Sequence, residues 1–384
     1  MFISHKTIKH YYVGQLFSIN SHFFSVKMRI FLRNATSVFP KHQVLFYYFL
    51  NRVAGLVRLV LNDYLCLSLL KNMMWRMMKK LNFLLLILVL ATVTVARAES
   101  RSSKPMAGHV LVIGIDGWGG YSIDKAHDIP NITRLMQQGC YTTRKRSVLP
   151  SDSGVNWASM FNGSCPELHG FTTWGSHTPE IPSAEVNEHG IFPTIFSLLR
   201  DVRPDVVTGC IAEWDGIKYV VDTLSIDYYD LAPNWEHDTV RLCEMAEQFI
   251  INRKPTLLAV CWDQLDHTGH TIGHDTPEYY NTLASIDVYV GRLIKALETA
   301  GIADDTIIIM TSDHGGVGKG HGGKTLLEME HPFIICGPGI RAGVEILQPM
   351  MQFDTAATIA YIFGLEMPCS WVGRPVLSVF KKIR

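Results

Sequence analysis

Short apolar runs alternate with amphipathic stretches and with polar, glycine-containing segments along residues 109–363. Apolar runs of four to eight residues bounded by turn residues are typical of strands buried on both faces of a parallel sheet. They predict strands at 109–115, 141–148, 205–211, 256–262, 306–311 and 331–336. Helical spacing predicts helices at 129–139, 156–162, 191–199, 239–252, 278–300 and 354–363. This alternation indicates an α/β fold, a doubly wound and mostly parallel sheet with helices on both faces.

Acidic and imidazole side chains follow three of these predicted strands. The set comprises Asp116, Asp266, His270, Asp313, His314 and, seven residues further on, His321. Because the carboxyl ends of parallel strands share one edge of a sheet, residues distant in sequence can converge there. Three carboxylates and three imidazoles at one edge repel one another unless cations bind them, and Zn²⁺ takes these ligands. The sequence therefore predicts a metal site at this edge.

A polar turn with two hydroxyls, Ser151 and Ser153, precedes the predicted helix 156–162. The start of a helix offers free N–H groups and a favourable dipole to an anion such as a phosphate or sulfate ester. Six metal ligands plus one serine oxygen are enough for two cations, the arrangement that supports in-line displacement at phosphorus. We therefore expect Ser153 to be a nucleophile held against metal.

Other polar residues near these motifs have ordinary structural explanations. His267 neighbours the cluster but is expected to point away from it, and His331 opens a strand where apolar packing is the default. His274 is also a weaker candidate. Asp263 is expected to orient a histidine rather than bind metal.

Charge is distributed unevenly along the chain, although its formal net charge is zero. Residues 1–98 are formally +12 and the remainder is formally −12. Residues 78–98 predict a signal peptide, because Met78-Lys79-Lys80 precedes a short apolar run and Ala96-Arg97-Ala98. Residues 1–77 are then expected to be an untranslated upstream extension, with a poorly ordered or membrane-anchored basic arm as the alternative.

Residues 99–384 are expected to form one domain that is exported to the periplasm or secreted. Their acidic balance argues against a role as a nucleic-acid scaffold. The apolar run at 81–95 is too short for a stable membrane span, so none is expected in the mature chain. Seven scattered cysteines without a CxxC pair indicate neither a zinc ribbon nor a dense disulfide framework.

Several motifs together resemble the alkaline phosphatase superfamily, most closely its type I phosphodiesterase/nucleotide pyrophosphatase branch. They are VLVIGIDG at 110–117, PSDSGVNWASMFNGSCPELHG at 150–170, DxxGH at 266–270, SDHGG at 312–316, GHGG at 320–323 and PFIICGPGI at 332–340. They occur in family order over nearly all of residues 108–340. The resemblance implies an alkaline phosphatase-like fold and a hydrolase with two Zn²⁺ ions, with other divalent metals as alternatives.

The resemblance also implies a role for each motif residue. One zinc would be held by Asp116, Asp313, His314 and the Ser153 oxygen, and the other by Asp266, His270 and His321. Asn156 falls on the asparagine of the family's nucleophile block, so we expect it to be catalytic and to steady charge on the phosphate. Ser151 is the less favoured nucleophile.

One position departs from the family pattern. Trp174 stands where diesterase members tend to carry an asparagine that steadies a phosphate oxygen, so we expect Trp174 to contact substrate. The expected function is cleavage of phosphodiester or pyrophosphate bonds in a small phosphate ester, with a nucleotide among the candidates, through a phosphoseryl intermediate. A phosphomonoesterase or phosphotransferase and a non-catalytic metal-stabilised binding protein are the alternatives.

Overall fold

A computed structural model describes residues 104–231 and 238–382, together with residues 48, 51–52, 75 and 77–81. The chain divides into two units, Met1–Ser100 and Arg101–Arg384. Most of the expected signal peptide and of the segment before it lies outside the described residues.

One eight-stranded sheet organises the second unit, with strand order β4-β3-β5-β1-β6-β7-β2-β8. Strands β4, β3, β5, β1 and β6 run parallel, β7 is antiparallel to both β6 and β2, and β8 is parallel to β2. In chain order the strands are β1 (His109–Ile115), β2 (Cys140–Arg146), β3 (Thr208–Ala212), β4 (Tyr228–Leu231), β5 (Leu257–Trp262), β6 (Thr306–Thr311), β7 (Glu330–Cys336) and β8 (Val344–Glu345).

Helices occupy most of the connections between the strands. They are α1 (Pro130–Gln138), α2 (Ser153–Asn162), α3 (Pro166–His169), α4 (Ile195–Val202), α5 (Ile217–Val220), α6 (Thr239–Arg253), α7 (Gln264–Thr271), α8 (Pro277–Ala300), α9 (Leu326–Met329) and α10 (Asp354–Phe363). Short 3₁₀ turns lie at Gly120–Ser122, Thr223–Ser225, Ala303–Asp305 and Leu377–Val379.

The register of the central strands brings their carboxyl ends to one edge of the sheet. Ile115 at the end of β1 is paired with Trp262 at the end of β5. On the other side, Gly114 of β1 is paired with Thr311 at the end of β6. The polar segments that follow β5, β1 and β6 therefore begin side by side, as the sequence predicts.

Each face of the sheet buries its own apolar layer, which explains why the central strands contain almost no polar residues. Trp157, Phe161 and Phe196 lie in the layer that includes α2, α4 and α10. Tyr279, Leu283 and other residues of α8 pack on the opposite face together with α6. This two-sided burial confirms the predicted doubly wound α/β architecture.

The boundaries of several elements differ from prediction. Helix α2 begins at Ser153 rather than at residue 156, so Ser153 is its first residue. Helix α4 begins at Ile195 rather than at residue 191, because Thr194 and Ser197 form a reciprocal capping box there. Three elements were not predicted from the sequence. They are the short edge strands β4 and β8 and the helix α7, whose residues are mostly polar.

No helix among the described residues is both long enough and apolar enough to cross a membrane. All seven cysteines in this part of the chain are free thiols.

Gly114 of β1 lies directly under the indole ring of Trp157, so we expect Gly114→Ala to destabilise the fold. A Cβ at this position would lie 2.5 Å from the Trp157 ring and 3.2 Å from Cys261 Sγ. Overpacking of this kind costs about 1–3 kcal/mol. Urea unfolding should show the loss, whereas Gly175→Ala, with no atom within 4 Å of its added Cβ, should leave the midpoint unchanged. Equal midpoints for the two variants would contradict this packing.

Candidate active site

The first predicted group of metal ligands meets at the carboxyl ends of β1 and β6 and the start of α2. His314 Nε2 lies 3.3 Å from Asp116 Oδ1 and 3.2 Å from Asp313 Oδ2. Ser153 Oγ lies 3.1 Å from His314 Nε2 and 3.5 Å from Asp116 Oδ1. All four residues are buried. The structure thus brings together the four residues that the family pattern assigns to one zinc.

The second predicted group meets beside the first. Asp266 and His270 are four residues apart on α7, so they share one face of that helix. His270 Nε2 lies 3.1 Å from Asp266 Oδ2 and 3.1 Å from His321 Nε2. His321 Nε2 lies 3.8 Å from the same Asp266 oxygen. His270 is 45% exposed, which leaves this side of the cluster open to solvent.

The two groups adjoin through stacked imidazoles. The rings of His314 and His321 are 3.7 Å apart at their centroids and nearly parallel. Ligand atoms of Asp266, His314 and His321 all lie within 4.8 Å of one another, as do those of Asp116, Asp313 and His314. The residues could therefore hold two neighbouring cations.

Electrostatics at this edge of the sheet favour the binding of positive charge. Burial, together with the nearby carboxylates of Asp313 and Asp266, raises the pKa of Asp116 well above its ordinary value. Burial also acts against the charged form of Asp266, but His270 and His314 hold the pKa of that carboxyl below its usual range. The site therefore holds several neighbouring carboxylates with few positively charged groups to pair with them.

Two buried carboxylate oxygens have no hydrogen-bond donor among the described residues. They are Asp313 Oδ2 and Asp266 Oδ1, one in each group. Buried polar atoms are normally satisfied, so these two oxygens fit ligands whose partner is a cation. Carboxylate oxygens with imidazole nitrogens are also the donor set that Zn²⁺ binds. The residues therefore fit the expected metal centre.

The side chain of Asn156, the second residue expected to be catalytic, bonds to the backbone of the loop before α2. Its Oδ1 accepts the N–H of Val148 at 2.7 Å. Its Nδ2 donates to the carbonyls of Pro150 and Asp152, each at 3.0 Å, and to that of Val148 at 3.3 Å. The amide is buried and fully occupied by the backbone of the loop before α2. These bonds hold the loop that presents Ser153, and the expected contact of Asn156 with the phosphate stays a prediction.

Trp174 lies beside the nucleophile segment, and its side chain is exposed. A Cβ at Gly154, the residue after Ser153, would lie 2.4 Å from the carbonyl oxygen of Trp174. The Trp174 ring is 57% exposed and stacks on Trp214, with centroids 6.3 Å apart. This position leaves an aromatic surface near Ser153 that a substrate could contact.

The loop holding Trp174 is fixed by Glu180. This carboxylate accepts hydrogen bonds from the Thr172 N–H at 2.8 Å, from two threonine hydroxyls and from Ser176 Oγ. A second ring contact, His177 on Tyr219, ties the same loop to α5 with centroids 3.9 Å apart. Residues 171–180 and 213–220 therefore form one wall next to the site.

Three polar residues in or beside the cluster had no place in the predicted ligand set. Asp152 Oδ1 lies 3.5 Å from His321 Nδ1. Burial opposes the charged imidazole, but Asp152 and Asp266 raise the pKa of His321 to about 9. The Asp263 carboxylate lies within 4.8 Å of those of Asp116 and Asp266, and burial raises its pKa to about 8. For Asp152 and Asp263, closeness in sequence to Ser153 and Asp266 was the only signal that they lie at the site.

His274 is the third residue of this kind. Its ring is wedged between two glycines, since a Cβ at Gly269 or Gly316 would lie 2.3 Å from it. His274 Nε2 is buried and lies 3.8 Å from Asp266 Oδ1. Only the absence of side chains at both glycines leaves room for this imidazole, and sequence alone did not show that contact.

A family model described as type I phosphodiesterase / nucleotide pyrophosphatase matches residues 110–320. Mouse bis(5′-adenosyl)-triphosphatase enpp4 is 22% identical over 245 residues, which cover 61% of this chain and 53% of that protein. The chain thus spans about half the length of this relative.

Solved structures of the same class share the fold. Human ectonucleotide pyrophosphatase/phosphodiesterase 5 superposes with a TM-score of 0.58 at 16% identity, covering 71% of this chain and 100% of that one. An inactive variant of the mouse enzyme, solved in complex with AMP, gives a TM-score of 0.54 at 17% identity. It covers 69% of this chain and 96% of that one. At these identities the likeness shows the fold alone.

The chain therefore belongs to the type I phosphodiesterase/nucleotide pyrophosphatase family, within the alkaline phosphatase superfamily. The resemblance inferred from the sequence motifs is confirmed. The family model ends at residue 320, one position before His321.

We predict that Asn156→Ala destabilises the metal-free protein by about 1–3 kcal/mol, because it leaves the buried N–H of Val148 without an acceptor. Urea unfolding in the presence of a chelator measures this loss. Asn252→Ala, which removes an exposed amide bonded to Gln248, is the control and should have little effect. A purely catalytic Asn156 would instead give unchanged stability with lower turnover, and that result would refute the positioning role.

Proposed function

We propose that residues 99–384 form an exported two-zinc hydrolase that cleaves phosphodiester or pyrophosphate bonds through Ser153. The observation that carries the proposal is the convergence of one hydroxyl with two ligand groups. Ser153 Oγ lies 3.1 Å from His314 Nε2, and the His314 ring stacks on that of His321 in the second group. A nucleophile beside two cation sites is the arrangement required for in-line displacement at phosphorus.

Bound cations would supply positive charge that favours the ionised serine oxygen and offsets the charge of the phosphate. The protein itself supplies the nucleophile and its direction. Ser153 Oγ forms a bond to phosphorus while the bond from phosphorus to the leaving oxygen breaks, which gives a phosphoseryl ester. A water molecule then attacks the same phosphorus, and the serine oxygen leaves.

The start of α2 supplies donors for the non-bridging oxygens of the phosphate. The residue before the helix, Asp152, makes no side-chain capping bond. The first N–H groups of the helix therefore lack the usual side-chain acceptor, and they point towards the end where Ser153 lies. An anion bound there gains from these donors and from the helix dipole. These N–H groups would act together with the contact expected of Asn156.

Trp174 and Trp214 supply a surface for the part of the substrate beyond the phosphate. The exposed Trp174 stacks on the partly buried Trp214, and the Trp174 carbonyl oxygen lies against Gly154, next to Ser153. Glu180 holds the loop that carries Trp174. A planar group such as a nucleobase would stack on this surface. The AMP complex of mouse ectonucleotide pyrophosphatase/phosphodiesterase 5 supports a small nucleotide or related phosphate ester as substrate.

A phosphomonoesterase or phosphotransferase is the second candidate, and Trp174 is the observation that favours it. An indole cannot make the hydrogen bond that an asparagine amide would make to a phosphate oxygen. Comparing hydrolysis of bis-p-nitrophenyl phosphate with that of p-nitrophenyl phosphate separates the two. Faster turnover of the monoester would overturn the diesterase assignment while leaving the two-zinc site in place.

Export is proposed from the predicted signal peptide at residues 78–98. Mass spectrometry of the mature N-terminus tests it, with the expected start near Glu99. A mature chain that begins before residue 77 would contradict both the signal peptide and the untranslated extension.

Ser153→Ala should lower phosphate-ester hydrolysis by roughly three orders of magnitude or more, because the attacking atom is gone. Ser151→Ala is the matched control. That hydroxyl donates to the carbonyl of Gly323 at 2.6 Å, so its loss should cost at most about tenfold. Initial rates in zinc-replete buffer measure both. Full activity of Ser153→Ala would rule out the proposed nucleophile.

Trp174→Ala should raise KM for a phosphodiester with an aromatic leaving group by about tenfold, since stacking contributes about 1–3 kcal/mol. KM for an alkyl phosphodiester should change little. Trp174→Phe keeps a ring face and should restore most of the difference. Steady-state kinetics on both esters give the result, and equal changes for the two substrates would exclude a stacking role.

A further inference from the structure

Glu213 is a buried carboxylate at the carboxyl end of β3, which lies beside β5, with β5 separating it from β1. It is 0% exposed. Its backbone N–H donates to the carbonyl of Cys261 at 3.0 Å, which ties the end of β3 to that of β5. Its Oε2 accepts the N–H of Asp263 at 2.7 Å and that of Gln264 at 3.0 Å.

These two N–H groups belong to the start of α7. Asp263 is the residue before the helix, and its own side chain makes no capping bond. Glu213 therefore performs, from another strand, the role that a capping side chain usually performs from within the same segment. This carboxylate therefore ties the first turn of α7 to the end of β3.

Helix α7 has only eight residues, and two of them are predicted metal ligands. Asp266 lies in its first turn and His270 in its last. Two turns of helix have little internal support, so a shift of the N-terminus moves both side chains. The distances that join Asp266 and His270 to His321 depend on where α7 begins.

We propose that Glu213 is a positioning residue of the metal centre: by capping α7 from β3 it holds Asp266 and His270 at the geometry that binds the second zinc. This inference rests on the proposed two-zinc function. Glu213 also precedes Trp214, so the same strand end fixes the metal-bearing helix and one half of the aromatic surface.

The fold contains a matched control for a purely structural role. Asp287 of α8 is also buried, and it accepts the N–H groups of Asn131 at 3.1 Å and Ile132 at 2.7 Å. These groups lie at the start of α1, which carries no predicted ligand. Asp287 thus makes the same kind of contact as Glu213, a buried carboxylate on two N–H groups at a helix start, away from the metal centre.

The experiment is a competition titration of the metal-free full-length protein with zinc and a chromophoric chelator. Wild type should bind two zinc ions. Glu213→Ala should bind one of them about 10–100-fold more weakly, the range found when a residue supporting a ligand is lost. Glu213→Gln should recover most of the affinity, because its amide oxygen can accept the same N–H groups. Asp287→Ala should lower the urea midpoint but leave both affinities unchanged.

The outcomes separate the inference from the proposed function. Wild type that binds fewer than two zinc ions overturns the two-zinc function and this inference with it. Two zinc ions in wild type with unchanged affinities in Glu213→Ala overturn the inference alone, as does an equal loss of affinity in Asp287→Ala. If Glu213→Ala does not fold, Glu213→Asp replaces it, since its shorter side chain withdraws the acceptor from α7 and should weaken the same zinc ion.

Discussion

Buried carboxylates crowd together where three parallel strands end, and the site depends on how that repulsion is relieved. Asp116, Asp266 and Asp313 lie within a few ångströms of three imidazoles, and two of their oxygens have no donor among the described residues. Charges taken out of water are costly unless they are paired. The sheet register, the short helix α7 and the loop after β6 all hold like charges against one another, an arrangement that bound cations would stabilise.

The sequence predicted the parts of the fold that depend on apolar pattern. β6 and α10 begin and end where expected, because a continuous apolar run and a helical period each leave a clear signal. The edge strands β4 and β8 were not predicted, because short, half-buried edge strands need few apolar residues. Helix α7 was not predicted for a related reason. Its residues are mostly polar, so they leave no apolar period, and its N-terminus is capped by a residue at the end of a distant strand rather than by a nearby side chain.

Within the site, the six predicted Asp and His ligands and Ser153 converge, because each follows a strand end or begins a helix at the same edge. The motif places Asn156 next to Ser153 but does not give the direction of its side chain. In the structure this amide faces four backbone groups of its own loop. The contacts of His274 and Glu213 could not be predicted from the sequence, because they depend on glycines and strands elsewhere in the chain.

The central claim is that two cations share the edge of the sheet with the Ser153 hydroxyl. Anomalous diffraction at the zinc edge, from crystals grown with zinc, tests this most directly. We expect two peaks roughly 4 Å apart. One should lie among Ser153, Asp116, Asp313 and His314, and the other among Asp266, His270 and His321. A single peak, or peaks away from these residues, would contradict it.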